Sequence, residues 1–197
     1  MKDIYLCDSG GQYHYGTTDV TRTICFYKQP QRIKNIFTKV LKGHIGVATY
    51  KLKKSTTGKQ LDTIARAALK RSGLDYAHGT GHGVGYFLNV HEGPQAISKI
   101  NNLRLEKGMI LSNEPGYYKP NKFGIRIENL VFIKKYKKKL NFENLTLVPI
   151  EKDLINFKLL NKEEKKYLNE YHKKIYLILG SHLSKNENKW LRSFINE

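Results

Sequence analysis

Cysteine is scarce. The two present, Cys7 and Cys25 in 197 residues, have neither the number nor the spacing of a disulfide framework or a thiolate zinc site, so free thiols in a reducing compartment are expected. No stretch approaches the ~18 apolar residues of a membrane span. The opening "MKDIYLCDSG" lacks the apolar core and small-residue cleavage site of a signal peptide, and the expectation is a soluble, intracellular protein. Acid is also in short supply, with 17 Asp and Glu against 35 Lys and Arg and a formal charge of +18. That charge permits anionic partners. However, its lysine runs, "KLKK" (51–54) and "KKYKKK" (134–139), come without any nucleic-acid-binding motif. They read as a solvated face, and neither a nucleic-acid nor a membrane partner is expected.

Against this background the chain divides in two. "DIYLCD" and "TDVTRTICFY", rich in β-branched and aromatic residues, flank the turn-prone "SGGQYHYGT" and predict an antiparallel pair. Apolar residues at helical spacing from Gln31 to Leu52 predict a first helix, and "GKQLDTIARAALKRSG" predicts a second, ended by Gly73. "AHGTGHGVGYFLNVHEGP" is too glycine-rich for a helix and reads as extended chain that approaches something closely. "KGMILSNEPG" and "KFGIRIENLVFIKK" predict a second strand pair. After Pro149 the chain turns to lysine-rich helix, where Asn161 and Glu164 make a capping-box pattern. Leu168, Tyr171, Ile175 and Leu179 form an apolar stripe there. The expected class is α+β, with one unit over 1–140 and a helical extension over 141–197 packed on it.

The scarce acids fall in a pattern. Asp8 closes the first strand and Asp19 opens the second, eleven residues later, so a hairpin brings two carboxylates together. Like charges sharing a site raise each other's proton affinity, and a cation between them is the obvious remedy. Glu114 and Glu128 repeat the arrangement fourteen residues apart, at the end of one strand and inside the next. Arg126 precedes Glu128 by two and is predicted on the same strand face. Between the carboxylate pairs, "HGTGHGVG" offers His78 and His82, followed by His91. Four carboxylates and an imidazole suit two divalent ions, and oxygen-rich ligands favour Mn, with Co, Zn or Fe also able to bind.

The blocks "YLCDSGGQYHYGTTDVTRT", "HGTGHGVGYFLNVHEGP", "SNEPGYY" and "FGIRIENL", in this order, resemble the signatures of the aminopeptidase P family of metallopeptidases. This group shares the pita-bread fold with methionine aminopeptidase and prolidase. "LTLVPIEKDLI" and the helices after it resemble the tail of the large cytosolic forms. The resemblance implies a peptidase that removes the N-terminal residue from peptides with proline in second position, by way of a metal-activated bridging water. It implies Asp8 on one metal, His82 on the other, Asp19 and Glu128 as bridges, and Glu114 as both ligand and proton shuttle. His91 is implied near the scissile carbonyl, His78 in the proline pocket, and Arg126 beside a ligand carboxylate.

The family's catalytic domain begins before the strand that carries its first aspartate and supplies a further substrate-side histidine. Residues 1–197 expressed alone are therefore expected to be poorly soluble and weakly active. The resemblance also implies a homodimer of the complete protein and a cytoplasmic location, with a digestive or vacuolar compartment as the alternative. Two other readings remain open at this point: a non-catalytic pita-bread binding module, and an inactive fragment. Retention of all five candidate ligands separates the first of these from the enzyme.

Overall fold

The computed structural model describes residues 4–85, 89–137 and 139–195. Two long strands open the chain, β1 (Ile4–Tyr13) and β2 (Gly16–Cys25), paired antiparallel with Tyr13 opposite Gly16. The stretch "SGGQYHYGT" is therefore mostly strand, and only His14 and Tyr15 remain for the turn. The sequence suggested a longer loop because Gly, Ser and Gln weaken strand propensity, but pairing along the whole hairpin overrides it.

Helix α1 (Gln31–Ala48) buries Ile36, Phe37, Val40, Leu41 and Ile45 on one face. It stops four residues before the expected Leu52. Thr49 Oγ1 donates to the Ile45 carbonyl at 2.8 Å, and the chain then turns so that Leu52 bridges Leu140. Helix α2 (Gly58–Lys70) starts at a Thr57/Gln60 capping box, and Gly73 follows it at φ +69°. Short strands β3 (Gly81–His82) and β4 (Ala96–Ile97) come next.

The expected second strand pair is instead two nested hairpins. Strand β5 (Ile110–Asn113) pairs with β8 (Asn129–Tyr136), and β8 with β9 (Lys139–Asn144). Inside this frame β6 (Gly116–Lys119) pairs with β7 (Phe123–Arg126). The ladder breaks where Glu114–Pro115 faces Ile127–Glu128. Pro115 has no N–H to continue it. The Glu114 N–H turns to the Thr80 carbonyl at 2.7 Å, and the Glu128 N–H to the Thr21 carbonyl at 3.1 Å. Glu128 thus lies between two strands rather than inside one, and Arg126 and Glu128 are not neighbours on one continuous strand face.

Helix α3 (Lys162–Leu179) begins at the Asn161/Glu164 capping box, both halves of which form, with bonds of 2.8 Å. Its Leu168, Tyr171 and Ile175 pack in the same core as Phe37, Val40 and Leu41 of α1, while Leu179 is partly buried against it. A final helix, α4 (Lys185–Ile195), adds Leu191. A second core joins α1 and α2 to the β5–β8–β9 sheet through Val47, Leu61, Ala65, Leu111, Val131 and Ile133. No helix among the described residues is long and apolar enough to cross a membrane.

Candidate metal centre

The β1–β2 register sets Asp8 opposite Thr21 and Gly10 opposite Asp19. Directly opposed residues share a sheet face, as do alternate ones, so Asp8, Asp19 and Thr21 point the same way. The break between β7 and β8 abuts this face through the Glu128–Thr21 main-chain bond. Thr21 Oγ1 donates to Glu128 Oε2 at 2.7 Å. Glu128 is 1% exposed, and its other oxygen, Oε1, is buried without a hydrogen-bond partner among the described residues.

The glycine-rich stretch approaches the β5 backbone, as its composition suggested. A Cβ on Gly81 would lie 2.0 Å from the Ser112 carbonyl oxygen, so only glycine lets β3 pack against β5. The next residue, His82, takes a bond from its main-chain N–H to Ser112 Oγ at 2.9 Å, and the same hydroxyl donates to Glu114 Oε1 at 2.9 Å. His82 Nδ1 bonds to the Gly83 carbonyl at 3.0 Å. Its Nε2 is thereby turned inward, 3.4 Å from Asp19 Oδ2 and 3.3 Å from Glu114 Oε1. Upstream, Arg66 of α2 pairs with Asp62 and Asp75 and donates to the Tyr76 and His78 carbonyls. Thr80 Oγ1 donates to Asp62. The loop that delivers His82 is therefore anchored to a helix.

All eight side chains named from the sequence line one cleft of about 600 Å³: Asp8, Asp19, His78, His82, His91, Glu114, Arg126 and Glu128. One potential ligand atom from each of Asp8, Asp19 and Glu128 lies within 4.8 Å of the others, and the same holds for His82, Glu114 and Glu128. His91 stacks on His82 with ring centroids 3.7 Å apart. The crowding shifts proton affinities. Burial pushes Glu128 up to about 8, with the Glu114 charge adding to it and the Thr21 hydrogen bond opposing. Burial also raises Glu114, against the pull of His82. For His82 burial works downward, but the Asp19 and Glu114 carboxylates outweigh it and raise the imidazole.

Three further residues, which the sequence reading passed over, support the site: Tyr118 lines the cleft, while Thr21 and Ser112 lie buried behind its carboxylates. Tyr118 receives a bond from Arg126 Nη1 at 2.8 Å and contacts His78 Nε2 at 2.8 Å. His78 Nδ1 faces the Gly79 carbonyl at 2.6 Å, so Nδ1 carries the proton and Nε2 accepts from the Tyr118 hydroxyl. Burial keeps this imidazole's proton affinity below its ordinary value. Arg126 also bonds Asp8 Oδ2 and, at 3.0 Å, Thr21 Oγ1. Thr21 was legible in principle, since it stands two residues after Asp19 and so on the same face. Ser112 and Tyr118 flank Glu114 in "SNEPGYY" but carry no signal of their own.

The donor set fits a pair of divalent cations. Four carboxylates and an imidazole converge, and the most buried carboxylate offers an oxygen that no group among the described residues satisfies. Buried polar atoms are normally paired, so this orphan marks a position for an electropositive partner.

Comparison with known proteins agrees with this chemistry. The model for metallopeptidase family M24 matches residues 1–135, and that for the C-terminal region of peptidase M24 matches residues 138–195. A probable Xaa-Pro aminopeptidase P of Laccaria bicolor is 53% identical over 180 residues, covering 86% of this chain and 28% of the relative. Xaa-Pro aminopeptidase 1 of Dictyostelium discoideum is 46% identical over 208 residues, covering 99% and 33%. The crystal structure of X-prolyl aminopeptidase from Caenorhabditis elegans, described as a cytosolic enzyme with a dinuclear active site, superposes with a TM-score of 0.92 at 43% identity, over 98% of this chain and 33% of that one. Prolidase from Pyrococcus furiosus superposes with a TM-score of 0.65 at 34% identity, over 73% and 41%. The chain spans about a third of the length of the aminopeptidase relatives it matches.

Proposed function

Because the chain belongs to metallopeptidase family M24 and has the family's pita-bread fold, we propose that it carries the dinuclear site of an Xaa-Pro aminopeptidase. The observation that carries this reading is the convergence of Asp8, Asp19, His82, Glu114 and Glu128 in one cleft, with Glu128 Oε1 lacking a partner among the described residues. These five residues would hold two divalent ions, Mn first, with Co, Zn or Fe as substitutes. When bound, the ions supply neutralisation of the carboxylates, polarisation of the scissile carbonyl and acidification of a water.

The side chains supply the rest. Glu114, fixed through Oε1 by the Ser112 hydroxyl, takes a proton from the attacking water and passes it to the departing proline nitrogen. Held there, its carboxylate can accept a proton and then release it. His91, stacked on His82 at the rim, donates to the carbonyl oxygen as charge develops there. His78, locked as one tautomer, lines the proline side. Arg126 holds Asp8 and Tyr118 in place. An Xaa-Pro amide has no N–H for an enzyme to grip, so discrimination rests on the pocket walls.

The partners in this reading are peptides beginning Xaa-Pro, without nucleic acid or membrane. The complete protein is read as a homodimer located in the cytosol, where its C. elegans relative is described. The test is manganese-dependent release of the first residue from an Xaa-Pro peptide by the full-length protein. Release from the Xaa-Pro peptide but not from an Xaa-Ala counterpart is expected, with loss in Glu114→Ala. Equal cleavage of both peptides, or activity that survives Glu114→Ala, would overturn the proposal.

A further inference from the structure

Arg22 stands outside the cleft yet touches the main chain of its most buried ligand candidate. It is 7% exposed, and all of its acceptors are uncharged oxygens. Nη1 donates to the Thr21 carbonyl at 2.8 Å and the Glu128 carbonyl at 2.6 Å. Nη2 donates to Asn129 Oδ1 at 2.7 Å, the Val148 carbonyl at 2.6 Å and the Tyr171 hydroxyl at 3.0 Å. Nε donates to the Pro149 carbonyl at 2.9 Å.

Burying a guanidinium without a carboxylate is costly, and a position that merely fills the core would not hold one. Two features give the charge a purpose. The Thr21 carbonyl receives both Arg22 Nη1 and the Glu128 N–H, and the Thr21 hydroxyl receives Arg126 and donates to Glu128 Oε2. Glu128 is therefore held at its N–H, its carbonyl and one carboxylate oxygen, which leaves Oε1 alone to face the cleft. The second feature is the origin of the other acceptors. Val148 and Pro149 precede the C-terminal helices, and Tyr171 sits on α3, where its hydroxyl also donates to the Val148 carbonyl at 2.8 Å. Arg22 joins these groups to the strand break through a rigid planar fork that no other side chain reproduces.

We propose that Arg22 is a positioning residue for the metal centre, fixing Glu128 against the segment 148–149 and Tyr171, so that the helical C-terminal region sets where the shared carboxylate stands. The inference rests on the proposed metal site and assigns Arg22 no contact with metal or substrate. It predicts that metal affinity depends on residues far from the cleft.

The experiment is calorimetric titration of the full-length, metal-stripped protein with Mn²⁺, alongside thermal melts. Outer groups that orient ligands typically change metal affinity by about 10- to 100-fold. Arg22→Lys keeps the charge but loses the fork, and is expected to bind Mn²⁺ about tenfold more weakly or worse. Leu52→Ala in the second core, a packing change remote from both the cleft and the C-terminal helices, is expected to lower the melting midpoint without changing affinity. Unchanged affinity in Arg22→Lys would overturn the proposal, as would an equal loss in Leu52→Ala, which would reduce the effect to general stability. Should Arg22→Lys fail to fold, Tyr171→Phe decides. Loss of one acceptor is expected to weaken binding about threefold, and unchanged affinity there overturns the idea. Wild-type protein that binds no Mn²⁺ would overturn the proposed function itself and the positioning role with it.

Discussion

Thr21 Oγ1 and Glu128 Oε2 lie 2.7 Å apart, joined across 107 residues of chain, and this contact determines which oxygen of Glu128 is free. The hydroxyl has one proton to give. It gives it to Glu128 while accepting from Arg126 Nε at 3.0 Å, so a single buried threonine orders two members of the cleft.

Thr21→Val keeps the shape and removes the hydroxyl. A buried carboxylate oxygen and an arginine N–H then lose their partner, at a cost of about 1–3 kcal/mol each for a group left unsatisfied. The expected outcome is a lower melting midpoint and weaker manganese binding, measured by thermal melts and titration. Thr21→Ser, which retains the hydroxyl, should recover most of the binding.

Metal and stability are coupled, because the carboxylates repel one another until a cation arrives. A ligand bound only by the folded state stabilises it by about 2.7 kcal/mol at a hundredfold excess over its Kd. Saturating Mn²⁺ should raise the melting midpoint above that in chelator. Equal midpoints would count against the site.

Gly81→Ala tests the close approach that delivers His82. Its Cβ would meet the Ser112 carbonyl oxygen at 2.0 Å, a backbone clash that side-chain rotation cannot relieve. A cost of about 1–3 kcal/mol is expected from overpacking. Because Ser112 also bonds His82 N–H and Glu114, manganese affinity should fall with it. Gly73→Ala, near no other atom but at φ +69°, should cost stability alone.

Much of this was legible from the chain. The helical periods of α1 and α2, the capping box of α3 and the order of the five acid and histidine positions follow from local pattern and spacing. The nested hairpins were not legible, because the ladder breaks at Pro115 only when the Glu114 and Glu128 N–H groups find Thr80 and Thr21, contacts that span 34 and 107 residues. Arg22 was hidden for the same reason. Among 35 basic residues nothing local distinguishes a buried fork from a surface cation, and apart from the adjacent Thr21 carbonyl its acceptors come from segments more than 100 residues away.

Acid stability should show a signature away from the cleft. His172 is 5% exposed, and its Nε2 accepts from the Ile150 N–H at 3.1 Å, so the folded state needs it neutral. Burial first, then the Arg22 and Lys152 charges, lower it to about 4. A depressed histidine contributes stability that is complete above its unfolded value near 6.5 and is lost as pH falls towards 4. The slope is at most about 1.4 kcal/mol per pH unit for one proton. Denaturation midpoints measured from pH 7 to pH 4.5 should fall. His172→Gln, whose amide oxygen accepts the same bond without titrating, should flatten that fall.

The central claim is that these five residues hold two ions with Asp19 and Glu128 shared between them, and it is tested most directly by electron paramagnetic resonance of the manganese-loaded protein with the bound metal counted. The account predicts two Mn²⁺ per chain with the spectrum of an exchange-coupled pair, and loss of the coupling in Glu128→Ala. A single ion, or two ions with the spectrum of isolated centres, would contradict it.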